Sequence, residues 1–369
     1  MLKRHRMKNL LVSSLEEYSG KSALIIALGL ILREKGFKIG YFKPFGVGIT
    51  RIDNQLVDED AYKTAIVLDT GDNIEDVCPV KLDKPYVEFI RAADQLELKK
   101  KVIESYKRIS EDKNIVFVES AVEYKVGKAL GLCDLKVSSM LDLDVLMVVK
   151  YTSDFILDKI LAARENLGER LRFIVFNQLS GYKEEYVRYI NERFLKRNGM
   201  EMLGLLPFSP LLAGLSIREI VDALHGEWLI KGKPGEEEVI IEELLIGAMS
   251  PPSALKYFRR VRKAALITGG DRADLQNLAL ETGTIKCLLL TGNLEPTGTI
   301  LGKAEEKSVP VILVTDDTLT TLEKVDEVFG KARIRGEEKI RKMKELVERF
   351  VDLNRLIEYL ELNTISSQK

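Results

Sequence analysis

The most constraining feature of this chain is a nine-residue stretch, Ser14 to Ser22 (Ser-Leu-Glu-Glu-Tyr-Ser-Gly-Lys-Ser). A short apolar run, Asn9 to Val12, leads into it, and an apolar helical segment, Ala23 to Leu32, leads out. A strand, a tight loop and a helix in that order are the context of a phosphate-binding loop. The backbone N–H groups and the helix N-terminus cradle an anion, Lys21 reaches the outer phosphates, and the Ser22 hydroxyl holds Mg²⁺. Only Gly20-Lys21-Ser22 follows the usual pattern, since Leu15 stands where its first glycine belongs. The plain alternative is a βα turn with an exposed lysine.

Near-continuous aliphatic and β-branched runs recur beyond this loop, at Ile39–Phe42, Ile115–Val118, Val145–Val149, Phe173–Phe176 and Met202–Leu206. Runs of this kind are strands buried on both faces, and helical segments such as Lys99–Ser110 and Asp154–Asn166 lie between them. A parallel sheet flanked by helices follows, so the fold class is α/β. After Pro207 a connecting helix is expected over Leu212–Leu224. A second, smaller α/β series then has strands at Glu238–Ile241, Ala264–Thr268, Cys287–Leu290 and Val309–Thr315. Its helices are expected at Arg272–Glu281, Ile300–Lys307 and Leu319–Phe329. The expected organisation is a first domain over 1–215, a second over 216–335, and a C-terminal amphipathic helix with its tail over 336–369. The stripe Ile340, Met343, Val347, Phe350, Ile357 and Leu360 marks one helix from about Glu337 to Leu360, packed on its own domain or on a second subunit.

Charge narrows the function classes. The 369 residues carry 56 Lys and Arg against 57 Asp and Glu, a formal net of −1, so no field points to nucleic acid or anionic lipid. Cys78, Cys133 and Cys287 lack any CxxC spacing and read as buried small hydrophobes of a reducing cytoplasm. The basic start Lys3–Arg6 precedes only a strand-length apolar run, and no stretch approaches the ~20 residues that span a bilayer. His5 and His225 are isolated, so no Ser-His-Asp or Cys-His constellation competes with the loop.

Three polar groups lie where ligands of open α/β sheets collect, at strand ends. Lys43 follows strand Ile39–Phe42 and suits a phosphate or a substrate carboxylate, or is a plain surface lysine. The cluster Asp58-Glu59-Asp60 opens a helix, where it caps or contributes a magnesium ligand. Glu119 ends strand Ile115–Val118 as a carboxylate orienting Mg²⁺ or water does.

Gly-Lys-Ser after the first strand, Tyr41-Phe-Lys-Pro44 after the second, Asp58–Ala61 and Val116–Glu119 together resemble dethiobiotin synthetase. Glu17–Leu24 and the stretch Leu130–Val149 resemble more closely the synthetase-like ATPase domain at the N-terminus of long phosphotransacetylases, over residues 8 to about 215. The resemblance implies ATP and Mg²⁺ as cofactors. It implies Ser19, Gly20, Lys21 and Ser22 at the phosphates, Asp60 and Glu119 beside the metal, Lys43 facing the reacting groups, and Asn177 near the base. The sequence departs from the synthetase at Ser14-Leu-Glu-Glu17, where a carboxylate replaces the substrate-side threonine, and at Ser120, which replaces a glycine. Both departures argue against dethiobiotin synthesis.

The second domain resembles the DRTGG domain through Gly270-Asp271-Arg272 and Thr291-Gly292, with Asn293 in place of the last glycine. It implies a small anionic effector or a partner's acidic group at Gly270, Asp271, Arg272, Thr291 and Gly292; the plain alternative is that Asp271 and Arg272 cap and pair. The acetyl-transfer domain that follows in phosphotransacetylases has no counterpart here, and acetyl transfer is not expected. The expectation is a cytoplasmic, homo-oligomeric nucleotide-binding regulator or sensor, with an ATP-dependent carboxylate- or carbamate-activating enzyme as the alternative.

Overall fold

The computed structural model describes residues 9–329, 334 and 336–362. The basic start with His5, and residue 335 at the expected 335/336 boundary, lie outside them. The chain forms two units, one running to Phe208 and resuming at Ile334, the other spanning Ser209–Arg333.

The first unit is built on a six-stranded parallel sheet. Its strands are β1 (Leu10–Ser14), β2 (Ile39–Phe42), β3 (Ile115–Glu119), β4 (Asp144–Lys150), β5 (Leu171–Leu179) and β6 (Glu201–Pro207). Their spatial order is β6-β5-β4-β1-β3-β2. The strands β1, β2 and β3 are buried along their whole length, which is why they read as unbroken apolar runs rather than alternating ones. Helix α1 (Lys21–Glu34) is buried on nearly all sides. Full burial of each aliphatic side chain contributes about 1.5–3 kcal/mol, so this central layer anchors the loop that precedes it.

Between β2 and β3 the chain makes an insertion that shapes the site. Asp53 and Asn54 both take positive φ, the geometry of a two-residue hairpin turn, and join strands Ile49–Ile52 and Gln55–Asp58. The hairpin delivers Asp58 to the N-terminus of helix α2 (Glu59–Leu68), where its carboxylate accepts the Ala61 N–H at 2.9 Å. Helix α3 (Asp134–Leu141) follows β3.

The C-terminal stripe does not form one helix. Two helices, Glu337–Phe350 and Leu353–Tyr359, are separated by extended Val351, which bridges Gly204 on the edge strand β6. The Asp352 N–H donates to Leu203 O at 2.8 Å. A Cβ on Gly204 would lie 2.7 Å from Val351 Cγ2, so only glycine admits this close approach. The helix breaks because the edge strand takes up Val351 as a partner. The apolar stripe packs within the first unit, on α1 and β6, and so belongs to it rather than standing apart.

The second unit has a five-stranded sheet of β7 (Glu227–Ile230), β8 (Glu243–Ile246), β9 (Ala264–Gly269), β10 (Ile285–Thr291) and β11 (Val311–Leu313), ordered β7-β11-β10-β9-β8. Only β7 runs antiparallel to its neighbour. Both edge strands depart from the expected series. Residues 236–238 form a helical turn instead of a strand, and Ile240–Ile241 instead pairs with Leu215–Ser216 in a small separate ladder. That ladder also interrupts the expected Leu212–Leu224 helix, which starts only at Ile217 behind a Ser216–Glu219 capping box. Among the described residues no helix is long and apolar enough to cross a membrane.

Candidate functional site: the β1–α1 loop

Ser14 ends β1, and six residues later Gly20 turns the chain into α1 with φ +95°. A side chain there would be strained, and a Cβ would lie 2.5 Å from Asn177 Nδ2. Asn177, near the end of β5, donates to Ser19 O at 2.8 Å and backs the loop from behind. The Ser19 hydroxyl folds inward onto Glu16 O at 2.6 Å. Asn177 thus supports the loop backbone directly.

Lys21 is 7% exposed and its ammonium donates to Ser14 Oγ at 2.9 Å and to Val122 O at 2.5 Å. Burial lowers its pKa, against the pull of the Glu119 and Asp134 carboxylates. Ser22 Oγ donates to Glu119 Oε1 at 2.7 Å, and Tyr41 OH donates to Glu119 Oε2 at 2.7 Å. Burial and the adjacent Glu119 hold the Tyr41 phenol well above its ordinary range, so it remains a donor. One carboxylate at the end of β3 therefore gathers the helix α1 N-terminus and the end of β2.

These groups suit a magnesium ion. Mg²⁺ takes hard oxygen donors, usually one or two from protein with the rest from phosphate and water. Ser22 Oγ and Glu119 Oε1 are such a pair. Among the described residues there is no group of three or more His, Cys, Asp or Glu that could cage a metal alone. Bound there with a polyphosphate, Mg²⁺ would neutralise phosphate charge.

Lys43 is buried in an ion pair, which is not the setting of a plain surface lysine. Its side chain is 2% exposed and its ammonium lies 2.8 Å from Asp58 Oδ1, whose own side chain is fully buried. Burial alone would lower this lysine, but Asp58, Glu119 and Asp60 outweigh that and hold it above the usual lysine range. The second Asp58 oxygen accepts the Val47 and Gly48 N–H groups at 3.0 and 3.1 Å. Asp58 thus serves both as helix cap and as ion-pair partner. Asp60, half-buried in the first turn of α2, adds to the negative field at Lys43.

Two groups escaped the sequence reading. Asp134, at the start of α3, is 3% exposed and accepts a hydrogen bond from Ser13 Oγ beneath the loop. Burial raises its pKa. Lys150, the last residue of β4, lies in register beside Asn177. Asp134 sits fifteen residues beyond the β3 terminus, and Lys150 looks like any strand-end lysine, so neither carried a local signal.

In the second unit, Gly270, Asp271 and Arg272 follow β9, and Thr291 and Gly292 lie at the end of β10, with the two strands paired. Arg272 is engaged by Asp274, not oriented by Asp271: its Nε lies 3.0 Å from Asp274 Oδ1, and its Nη2 donates to Met249 O at 3.0 Å. A Cβ on Gly270 would fall 1.6 Å from Leu294 O, so this glycine lets two turns of the same chain meet. Thr291 Oγ1 lies 2.8 Å from Thr318 Oγ1, and the Gly292 N–H donates to Asp316 O at 2.7 Å.

Comparison with known proteins places the chain. Residues 8–216 match the model of a family described as an AAA domain. The chain belongs to that family. Residues 219–328 match the DRTGG domain. Phosphate acetyltransferase of Nitratidesulfovibrio vulgaris is 24% identical over 94% of this chain and 51% of its own length. ATP-dependent dethiobiotin synthetase of Bacillus cereus (strain G9842) is 22% identical over 55% of this chain and 84% of its own length. The chain spans about half the length of the acetyltransferases it matches. Among solved structures, the CBS and DRTGG domains of Clostridium perfringens pyrophosphatase are 24% identical over 33% of this chain and 51% of theirs, with a TM-score of 0.27. The resemblances expected from the motifs, to dethiobiotin synthetase and the N-terminal ATPase domain of phosphotransacetylases and to the DRTGG domain, are thereby borne out.

Proposed function

We propose that this protein binds Mg²⁺-ATP at the β1–α1 loop as a regulatory or sensor protein, with the second domain as the effector-responsive part. Nucleotide binding is supported by the family, by the left-handed Gly20 and by the Lys21, Ser22 and Glu119 arrangement. In this reading Lys21 exchanges its Ser14 and Val122 partners for phosphate oxygens, and Ser22 and Glu119 face the metal. The regulatory reading is carried by one observation: Lys43 is enclosed in a buried ion pair with Asp58. A carboxylate- or carbamate-activating enzyme needs a cation open to its second substrate. Freeing Lys43 for that role would leave Asp58 buried and unpaired, a cost of about 3–5 kcal/mol.

The second-domain reading rests on paired strand ends at Gly270–Arg272 and Thr291–Gly292, where an anionic effector would meet Arg272 only by displacing Asp274 or a backbone carbonyl.

The test is ATP turnover in the presence of a panel of carboxylic acids, and of diamines with bicarbonate. ADP formation should stay at the slow rate of the protein alone. Stoichiometric ADP release that depends on one of those substrates would favour the enzyme reading.

A further inference from the structure

A polyphosphate site with carboxylates in its own loop needs a source of positive charge beyond Lys21. Glu16 lies in the loop, half-buried, and its Oε1 is fully buried without a hydrogen-bond partner. A carboxylate oxygen in that state is destabilising unless a cation faces it. Lys43 is committed to Asp58.

The sheet register brings a cationic residue to this end of the sheet. Ser14, immediately before the loop, pairs with Val148 of β4. Two residues on, β4 ends at Lys150, paired with Asn177, the residue that backs Gly20. Lys150 is half-buried and, among the described residues, its side chain makes no hydrogen bond or ion pair. Burial lowers its pKa, and Glu16 is the one carboxylate that opposes the shift.

We propose that Lys150 is the counter-charge of Glu16, a positioning residue that allows this carboxylate-bearing loop to hold a polyphosphate. The proposal rests on the nucleotide reading above. Without Lys150, the Glu16 charge repels the incoming anion; without both, the loop is as neutral as before. A lysine that merely shields the sheet edge would show no such reciprocity.

The experiment is calorimetric titration of Mg²⁺-ATP into wild type, Lys150→Gln, Lys150→Arg, Glu16→Gln and the Glu16→Gln/Lys150→Gln double variant. Lys150→Gln should weaken binding about tenfold or more, and Lys150→Arg should stay near wild type. The double variant should return to within about threefold of wild type. Wild-type affinity in Lys150→Gln, or a double variant no tighter than Lys150→Gln, overturns the proposal while leaving nucleotide binding intact. Should the wild type bind no ATP, the nucleotide reading fails, and with it the role at a polyphosphate. The charge pairing is then read from the Lys150 titration followed by NMR of the ¹³C-dimethylated protein. Glu16→Gln should lower the Lys150 pKa further, and an unmoved Lys150 pKa overturns the pairing itself.

Discussion

Ser22 Oγ and Glu119 Oε1 stand 2.7 Å apart, tying the first turn of α1 to the C-terminal end of β3. The same carboxylate takes the Tyr41 hydroxyl on its other oxygen. In the proposed reading, this anionic acceptor held by two hydroxyls forms the protein's share of the magnesium site.

Replacing Glu119 by Gln should therefore act on the metal rather than on the loop. ATP titrations with and without Mg²⁺ should show the magnesium-dependent gain in affinity falling about tenfold or more, with magnesium-free affinity equal or tighter. An unchanged magnesium dependence would remove Glu119 from the metal site.

Lys43→Met leaves Asp58 buried without its cation, and should destabilise the fold by about 3–5 kcal/mol in urea denaturation. The sign with pH follows from the raised Lys43 pKa. The contribution is present below the unfolded-state lysine value of about 10.4 and is lost as pH rises through the still higher folded value. The stability gap between wild type and variant should hold constant from neutral pH to about pH 9 and narrow only above about pH 10.4. A gap below about 1 kcal/mol at neutral pH would mean the pair is far more hydrated than its burial indicates.

At Gly20, alanine meets both the positive φ and Asn177 Nδ2 at 2.5 Å. Gly20→Ala should cost about 1–2 kcal/mol, and Asn177→Ala in the same chain should recover the steric part but not the backbone part. Full recovery would show that φ carries no strain here; no loss at all would show that the loop relaxes freely.

The second domain gives a contrast between packing and binding. Gly270→Ala places a methyl 1.6 Å from the Leu294 carbonyl oxygen, and should destabilise the second domain by at least about 2–3 kcal/mol. Arg272→Ala loses contacts to Asp274 and Met249 O at a half-exposed site and should cost only about 1 kcal/mol. Limited proteolysis and thermal melting should rank the two variants in that order. The reverse order would make Arg272 the structural keystone.

What was legible in the sequence followed burial. The strands β1 to β6 and the central strands of the second unit each carry a buried apolar run covered on both faces, and that pattern needs no neighbours to be read. The edge strands Glu227–Ile230 and Glu243–Ile246 are half-exposed and carry charge, so they lacked that signature. The break at Val351 depends on Gly204, nearly 150 residues earlier, and no helical periodicity records it. In the site, Gly20-Lys21-Ser22 and Glu119 were legible because each sits at the end of an obvious element. Asp58 was obscured by two acidic neighbours, and only the hairpin turn at Asp53-Asn54 selects it for Lys43. Asp134 meets Ser13 from a distant helix start, and Lys150 lies beside Asn177 only through sheet register, which are tertiary facts.

The central claim is that Lys21 closes on phosphate, and calorimetric titration of Mg²⁺-ATP into wild type and Lys21→Ala tests it most directly. Loss of a charge-assisted contact should weaken binding by about 1.5–3 kcal/mol, roughly 10- to 150-fold. Equal affinity in the two proteins, or no binding to the wild type, would contradict the account.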